Sequence, residues 1–155
     1  MLLAVVYVPR TFCYHPREYG RRETAQFKVG TEGSSALGDR LLVSAVVQHR
    51  IAVEIRRILP TRGMTQREYA DYTGTSADRM TRILTGHKPM TIVDISQAYW
   101  LLGEDIAPID VAKWVDTASA NDRGVPAAQR ALELSTFDEA RRKLRRKHTQ
   151  PPTSP

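Results

Sequence analysis

Hydrophobic positions repeat with a helical period in the middle of the chain and lose that period towards both ends. Leu42, Val46, Val47, Ile51, Ile55, Ile58 and Leu59 recur at threes and fours, the spacing that lines up apolar side chains on one helix face. Asp39 is suited to cap that helix, and Pro60 and Gly63 to stop it. Thr65-Gln66-Arg67-Glu68 then reads as a capping box, in which a hydroxyl and a carboxylate satisfy each other's free amides. Gly74 closes this short second helix. Ser76 caps a third, over Ala77 to Leu84, and Gly86 ends it. Thr91-Ile92-Val93-Asp94 resembles a further capping box, opening a helix with Ile92, Ile95, Ala98, Tyr99 and Leu102 on one face and Gly103 at its end. The pattern predicts a compact all-α domain over residues 37–103.

The flanks read differently. Residues 1–36 mix an apolar patch, scattered arginines (Arg10, Arg17, Arg21, Arg22) and most of the stretch "GTEGSSALG". No helical period persists there, which predicts a poorly ordered arm with at most one short strand at 2–8. An over-extended reading frame, with synthesis starting later, is the alternative for this segment. Residues 104–155 form a C-terminal extension, with a helix expected around Asp110 to Ala118, a polar linker "SANDRGVP" and a last helix from near Ser135. The extension ends in "TQPPTSP", which cannot build a core.

Charge adds a direction to this outline. The chain has 155 residues, 23 Lys+Arg against 17 Asp+Glu, and a formal net charge of +6. A basic balance suits an acidic partner such as nucleic acid. The imbalance is concentrated at one end, where "ARRKLRRKH" carries Arg141, Arg142, Lys143, Arg145, Arg146 and Lys147 with no acidic residue after Glu139. Those six side chains are candidate tail contacts to DNA phosphates, or else the solvated end of a helix. Cys13 is the one cysteine, so no intramolecular disulfide can form, which fits a reducing cytoplasm. Cys13 and His15 have metal-ligand chemistry but too few companions to make a metal site. The opening "MLLAVVYV" is far shorter than the ~20 residues of a spanning helix and lacks the features of a secretory signal. No membrane association is expected.

The stretch Thr65 to Gly86 carries the most specific signal. Two short amphipathic helices meet at one glycine, and small Ala70 lets the second cross close to the first. Tyr69, Met80 and Ile83 supply inward contacts, leaving Thr75, Ser76, Asp78, Arg79, Thr81 and Arg82 to face outward. Thr65, Gln66, Tyr69, Ala70, Gly74, Ser76, Met80, Ile83 and Gly86 together resemble the Cro/cI-type (XRE) helix-turn-helix regulators, over about residues 48–103. Leu84 stands where that family often has an acidic residue, and Tyr69 where it often has leucine.

The resemblance implies a lambda-repressor-like domain of four to five helices whose recognition helix, 77–84, enters the major groove of operator DNA. It places Ala77, Asp78, Thr81 and Arg82, with Arg79 nearby, against base edges. Arginine grips guanine O6 and N7 with paired bonds, and aspartate accepts from cytosine N4. It places Gln66, Ser76, His87 and Lys88 on the sugar–phosphate backbone, where contacts give affinity rather than sequence choice. The residues also admit plainer roles. Asp78 suits the positive end of its own helix, Arg79 and Arg82 suit a solvated face, and Tyr99 and Trp100 suit helix packing.

No cluster of converging polar groups, phosphate loop or paired His/carboxylate spacing suggests an enzyme, and no cofactor is implied. The roughly fifty residues after Gly103 are too few for the self-cleaving domain of some phage repressors. The expected function is a sequence-specific, double-stranded DNA-binding repressor of the kind that confers immunity in temperate phages, nucleoid-associated and open to homodimer formation. An antitoxin of a toxin–antitoxin pair and a protein–protein adaptor that keeps a helix-turn-helix scaffold are the alternatives.

Overall fold

The computed structural model describes residues 7–28, 36–111 and 113–114. By internal contacts the chain divides into Met1–Asp122 and Arg123–Pro155, and every described residue lies in the first unit. The described residues form an all-α fold of four helices: α1 (Ala36–Thr61), α2 (Gln66–Tyr72), α3 (Ala77–Leu84) and α4 (Ile92–Leu102). None of them is long and apolar enough to cross a membrane. The linker and last helix expected in the C-terminal extension, with the six basic tail residues from Arg141 to Lys147, lie outside the described residues. Of the helix expected from Asp110, one turn is described. Asp110 Oδ1 accepts from Lys113 N at 3.0 Å, and Trp114 N donates to Asp110 O at 3.0 Å.

Helix α1 begins three residues before its expected cap, so Asp39 lies inside it and is not the N-cap. Pro60 lies in the last turn of α1, where its missing N–H and its ring interrupt the i→i−4 ladder, and the helix ends one residue later. Most of the apolar stripe is buried as the period required: Val46, Ile51, Ile55, Ile58 and Leu59 are core residues together with Ala45 and Ala52, while Leu42 and Val47 are partly buried against them. They meet Tyr69 and Ala70 of α2, Met80, Ile83 and Leu84 of α3, and Ala98 and Leu102 of α4. Helix α4 departs from expectation at its outer face. Ile92 is 76% exposed and Trp100 83% exposed. Trp100 projects from the side opposite Ala98 and Leu102 and is not a packing residue. Ile92 shares the period of Ile95, Tyr99 and Leu102 but stands at the first position of the helix, where it stays exposed and does not join the core.

The largest departure is at the N-terminus. Residues 7–28 are not a loose arm: Cys13, Tyr19, Ala25 and Phe27 are at most 5% exposed. Pro9–Phe12 and Pro16–Glu18 form single 3-10 turns. A short antiparallel contact follows, with Tyr14 N donating to Gln26 O at 3.0 Å and Lys28 N to Phe12 O at 2.7 Å. The strand expected at 2–8 falls mostly outside the described residues, and neither Tyr7 nor Val8 is in one. The segment covers a second side of α1, which the sequence presents as polar. Gln48 and His49 are buried there. Gln48 Nε2 donates to Tyr7 Oη (3.1 Å) and Ser44 Oγ (2.8 Å), while its Oε1 accepts from Met90 N at 2.6 Å. The ring of His49 packs against Tyr19 and Phe27, each at 5.2 Å between centroids. Burying Phe27 alone is worth about 1.5–3 kcal/mol, so this segment is part of the domain.

His49 is neutral in this setting. Its Nδ1 accepts from Gly20 N at 2.9 Å, which leaves the ring proton on Nε2. Burial first, and then the charge of Arg50, hold its pKa down to about 4 from an ordinary 6.5. The unfolded chain therefore binds more protons between those two values. The contribution of His49 is complete above about pH 6.5 and is lost as the pH falls towards 4, by at most ~1.4 kcal/mol per pH unit. Urea unfolding of wild type and His49→Gln should show a stability gap that narrows from pH 7 to pH 4.5. A gap that stays constant would contradict this assignment.

The segment also closes on the end of α3 through two glycines. A Cβ at Gly20 would stand 2.1 Å from Leu84 O, and one at Gly86 would stand 2.8 Å from the Tyr19 ring. Gly86 has φ +74, whereas Gly74 has φ +66 with nothing within 4 Å of an added Cβ. Gly74→Ala should cost only the left-handed strain of about 1–2 kcal/mol. Gly86→Ala adds an overpacking term of about 1–3 kcal/mol. Equal losses for the two variants in thermal or urea melts would show that Tyr19 does not seat against Gly86.

Candidate nucleic-acid interface

The local sequence around α2 and α3 fixes each helix end. Thr65 Oγ1 accepts from Glu68 N at 3.2 Å, and Glu68 Oε2 accepts from Thr65 N at 2.7 Å, which completes the capping box. These bonds from the Thr65 backbone and hydroxyl lower the Glu68 pKa. After α2, Thr75 N donates to Ala70 O at 2.9 Å across Gly74. Ser76 then caps α3 by accepting from Arg79 N at 3.1 Å. Ser76 is exposed, although its hydroxyl oxygen already serves the cap.

Helix α3 is sharply two-sided. Met80, Ile83 and Leu84 are 4% exposed or less, whereas Ala77, Asp78, Thr81 and Arg82 are exposed. With side chains a helix is about 10–12 Å across, so the exposed face of α3 can enter the ~12 Å width of a B-DNA major groove. Gln66 Nε2 donates to Thr81 Oγ1 at 2.8 Å, tying the start of α2 to the middle of the exposed stripe. Thr81 Oγ1 in turn donates to Ala77 O at 2.9 Å. Asp78 and Arg82 form an exposed ion pair at 3.0 Å through Arg82 Nε, which leaves both Nη groups of Arg82 out of that bond. Exposed pairs of this kind contribute at most about 1 kcal/mol and separate readily.

Arg79 does not join these residues. Its Nη1 and Nη2 donate to Asp94 Oδ1 and Oδ2 at 2.7 and 2.8 Å, a two-pronged bond from α3 to the start of α4. Burial pushes the Asp94 carboxyl up, but Arg79 and Thr91 outweigh it and hold the pKa below its ordinary value. The same carboxylate caps α4, accepting from Thr91 N at 2.7 Å. The expected base contact for Arg79 is therefore corrected: both ends of its guanidinium are committed to positioning α3.

His87 and Lys88 follow α3 and are exposed. His87 Nδ1 lies 2.8 Å from Thr85 Oγ1, and the Arg10 guanidinium meets His87 Nε2. Partial burial and then the charges of Arg10 and Arg82 lower the His87 pKa. Thr85 and Arg10 were not among the residues singled out from sequence. Arg10 could not be, because the contact spans 77 positions. Comparison with known protein families, curated proteins and solved structures found no match to this chain.

The Arg79–Asp94 tie gives a direct test. Arg79→Ala should lower stability by about 1–2 kcal/mol in urea unfolding, the worth of charge-assisted bonds discounted for partial exposure. A loss under ~0.3 kcal/mol would mean that α3 is positioned without it.

Proposed function

We propose that this chain is a sequence-specific DNA-binding transcriptional repressor whose α2–turn–α3 unit is a helix-turn-helix of the Cro/cI type. Helix α3 acts as the recognition helix in the major groove. The observation that carries this reading is the Gln66–Thr81 bond, which braces the exposed and polar face of α3. A helix whose outer face served only solvation has no need of a side-chain brace aimed at that face.

In this reading Arg82 opens its ion pair with Asp78 and grips guanine O6 and N7, and Asp78 accepts from cytosine N4. Thr81 and Ala77 meet base edges or a thymine methyl. Ser76 at the start of α3, Gln66 beside its middle and Lys88 past its end meet the sugar–phosphate backbone, while both ring nitrogens of His87 are already taken by Thr85 and Arg10. The physiological role that fits best is an immunity repressor like those of temperate phages, acting on operator sites near its own gene.

Footprinting on the DNA that flanks the gene tests this reading. Protection of a short, discrete site is expected. Arg82→Ala should cost about 1–3 kcal/mol on that site and relax preference at one base pair. No protection, or an equal loss on specific and unrelated DNA, would remove Arg82 as a base reader.

A further inference from the structure

The N-terminal segment reaches the recognition helix only at its C-terminal end, and it arrives there with an arginine. Arg10 N donates to Gly86 O at 3.3 Å, and the Arg10 Nη1 group donates to His87 Nε2. An imidazole that accepts at Nε2 carries its proton at Nδ1, so His87 donates to Thr85 Oγ1 at 2.8 Å. The Thr85 hydroxyl donates in turn to Thr81 O at 2.7 Å. A continuous chain of hydrogen bonds thus runs from Arg10 into the exposed stripe of α3. Both the backbone and the guanidinium of Arg10 are held, which positions its remaining N–H groups.

The charge around this point is one-sided. Arg22, Arg50, Arg57, Arg62, Arg79 and Arg82 each pair with a carboxylate. Arg10 pairs with none among the described residues, as is also true of Arg17, Arg21, Arg56 and Arg67, but its guanidinium alone among these is set against a histidine. Arg82 is near enough to act on the same imidazole, and Lys88 follows directly in sequence. Arg82's one counter-charge is the exposed, readily separated pair with Asp78, and an oriented Arg10 beside it makes a site for an anion. Arginine's planar fork fits the oxygens of a phosphate. The cluster also lies at the opposite end of α3 from Ser76. A groove-spanning helix meets one phosphate ridge at each of its ends.

We infer that Arg10, oriented by His87, is a DNA-phosphate contact, by which the folded N-terminal segment extends the interface past the C-terminal end of α3. The inference rests on the DNA-binding function proposed above and adds to it an element outside the helix-turn-helix.

The test uses the full chain and a mixed-sequence duplex of about two helical turns, titrated over a range of salt concentrations. Loss of one phosphate contact should lower the slope of log affinity against log salt by ~0.9. Arg10→Ala should show that reduction and bind about tenfold more weakly at low salt, on any sequence. Arg10→Gln, which keeps a donor for His87, should lose the same slope and serves if Arg10→Ala melts early. Arg57→Ala removes an equal charge from a guanidinium already held by Glu54 and the Asp105 carbonyl. It should leave the slope unchanged. A wild-type slope in both Arg10 variants overturns the contact, while an equal reduction in Arg57→Ala assigns the effect to net charge and overturns it too. Failure of wild type to bind any duplex overturns the DNA-binding function itself, and this inference with it.

Discussion

An eight-residue helix is too short to persist or to hold a direction without partners, and α3 has that length. Everything that bears on its outer face depends on how it is held. Helix α1 receives its apolar side through Met80, Ile83 and Leu84, and three further neighbours fix its direction. Helix α2 braces it through Gln66 and through Ala70, which is fully buried and small enough to allow close crossing. Helix α4 takes the Arg79 guanidinium with both carboxylate oxygens of Asp94. The N-terminal segment closes on its end through Tyr19 at Gly86 and Gly20 at Leu84. The residues left over from this holding work are Ala77, Asp78 and Arg82, which are the ones in the best position to read a groove.

On the proposed function, separating residues that hold from residues that read explains the pattern of committed and uncommitted charge. Arg79 and Arg82 are three positions apart on the same helix and differ in role because of their partners. Arg79 faces a carboxylate that is partly buried and anchored as a helix cap, so its bond is fixed in place. Arg82 faces Asp78 one turn back in open solvent, and that bond can be exchanged for another at little cost. The buried Gln48 has a similar holding role one layer down. It joins Tyr7 to Met90, so the N-terminal segment and the approach to α4 share one side chain of α1.

What was legible in the sequence was whatever is local. The capping boxes at Thr65 and Thr91, the Ser76 cap and the Gly74 turn each need only residues within four positions, and each stands as the pattern indicated. The period of α1 gave its buried stripe but not its start. The N-terminal segment was not legible because its apolar residues are presented by turns, which impose no period, and because its partners lie far along the chain. Gly20 meets His49 and Arg10 meets His87. The same limit misplaced Arg79, whose partner is 15 positions on and was read only as a cap. On α4 the period was clear, but a period gives the face and not the depth, and Ile92 at the first position of the helix stays exposed.

The central claim is that the exposed stripe of α3 and its two ends form the face that meets DNA. Amide shift mapping of the isotope-labelled full chain, titrated with duplex DNA, tests it most directly. Perturbations should cluster at Gln66, at residues 76–82 and at 85–88, with Arg10 among them. The exposed side of α4 around Ile92, Val93 and Trp100 should stay unchanged. Perturbations centred on that side of α4, with α3 silent, would contradict the account.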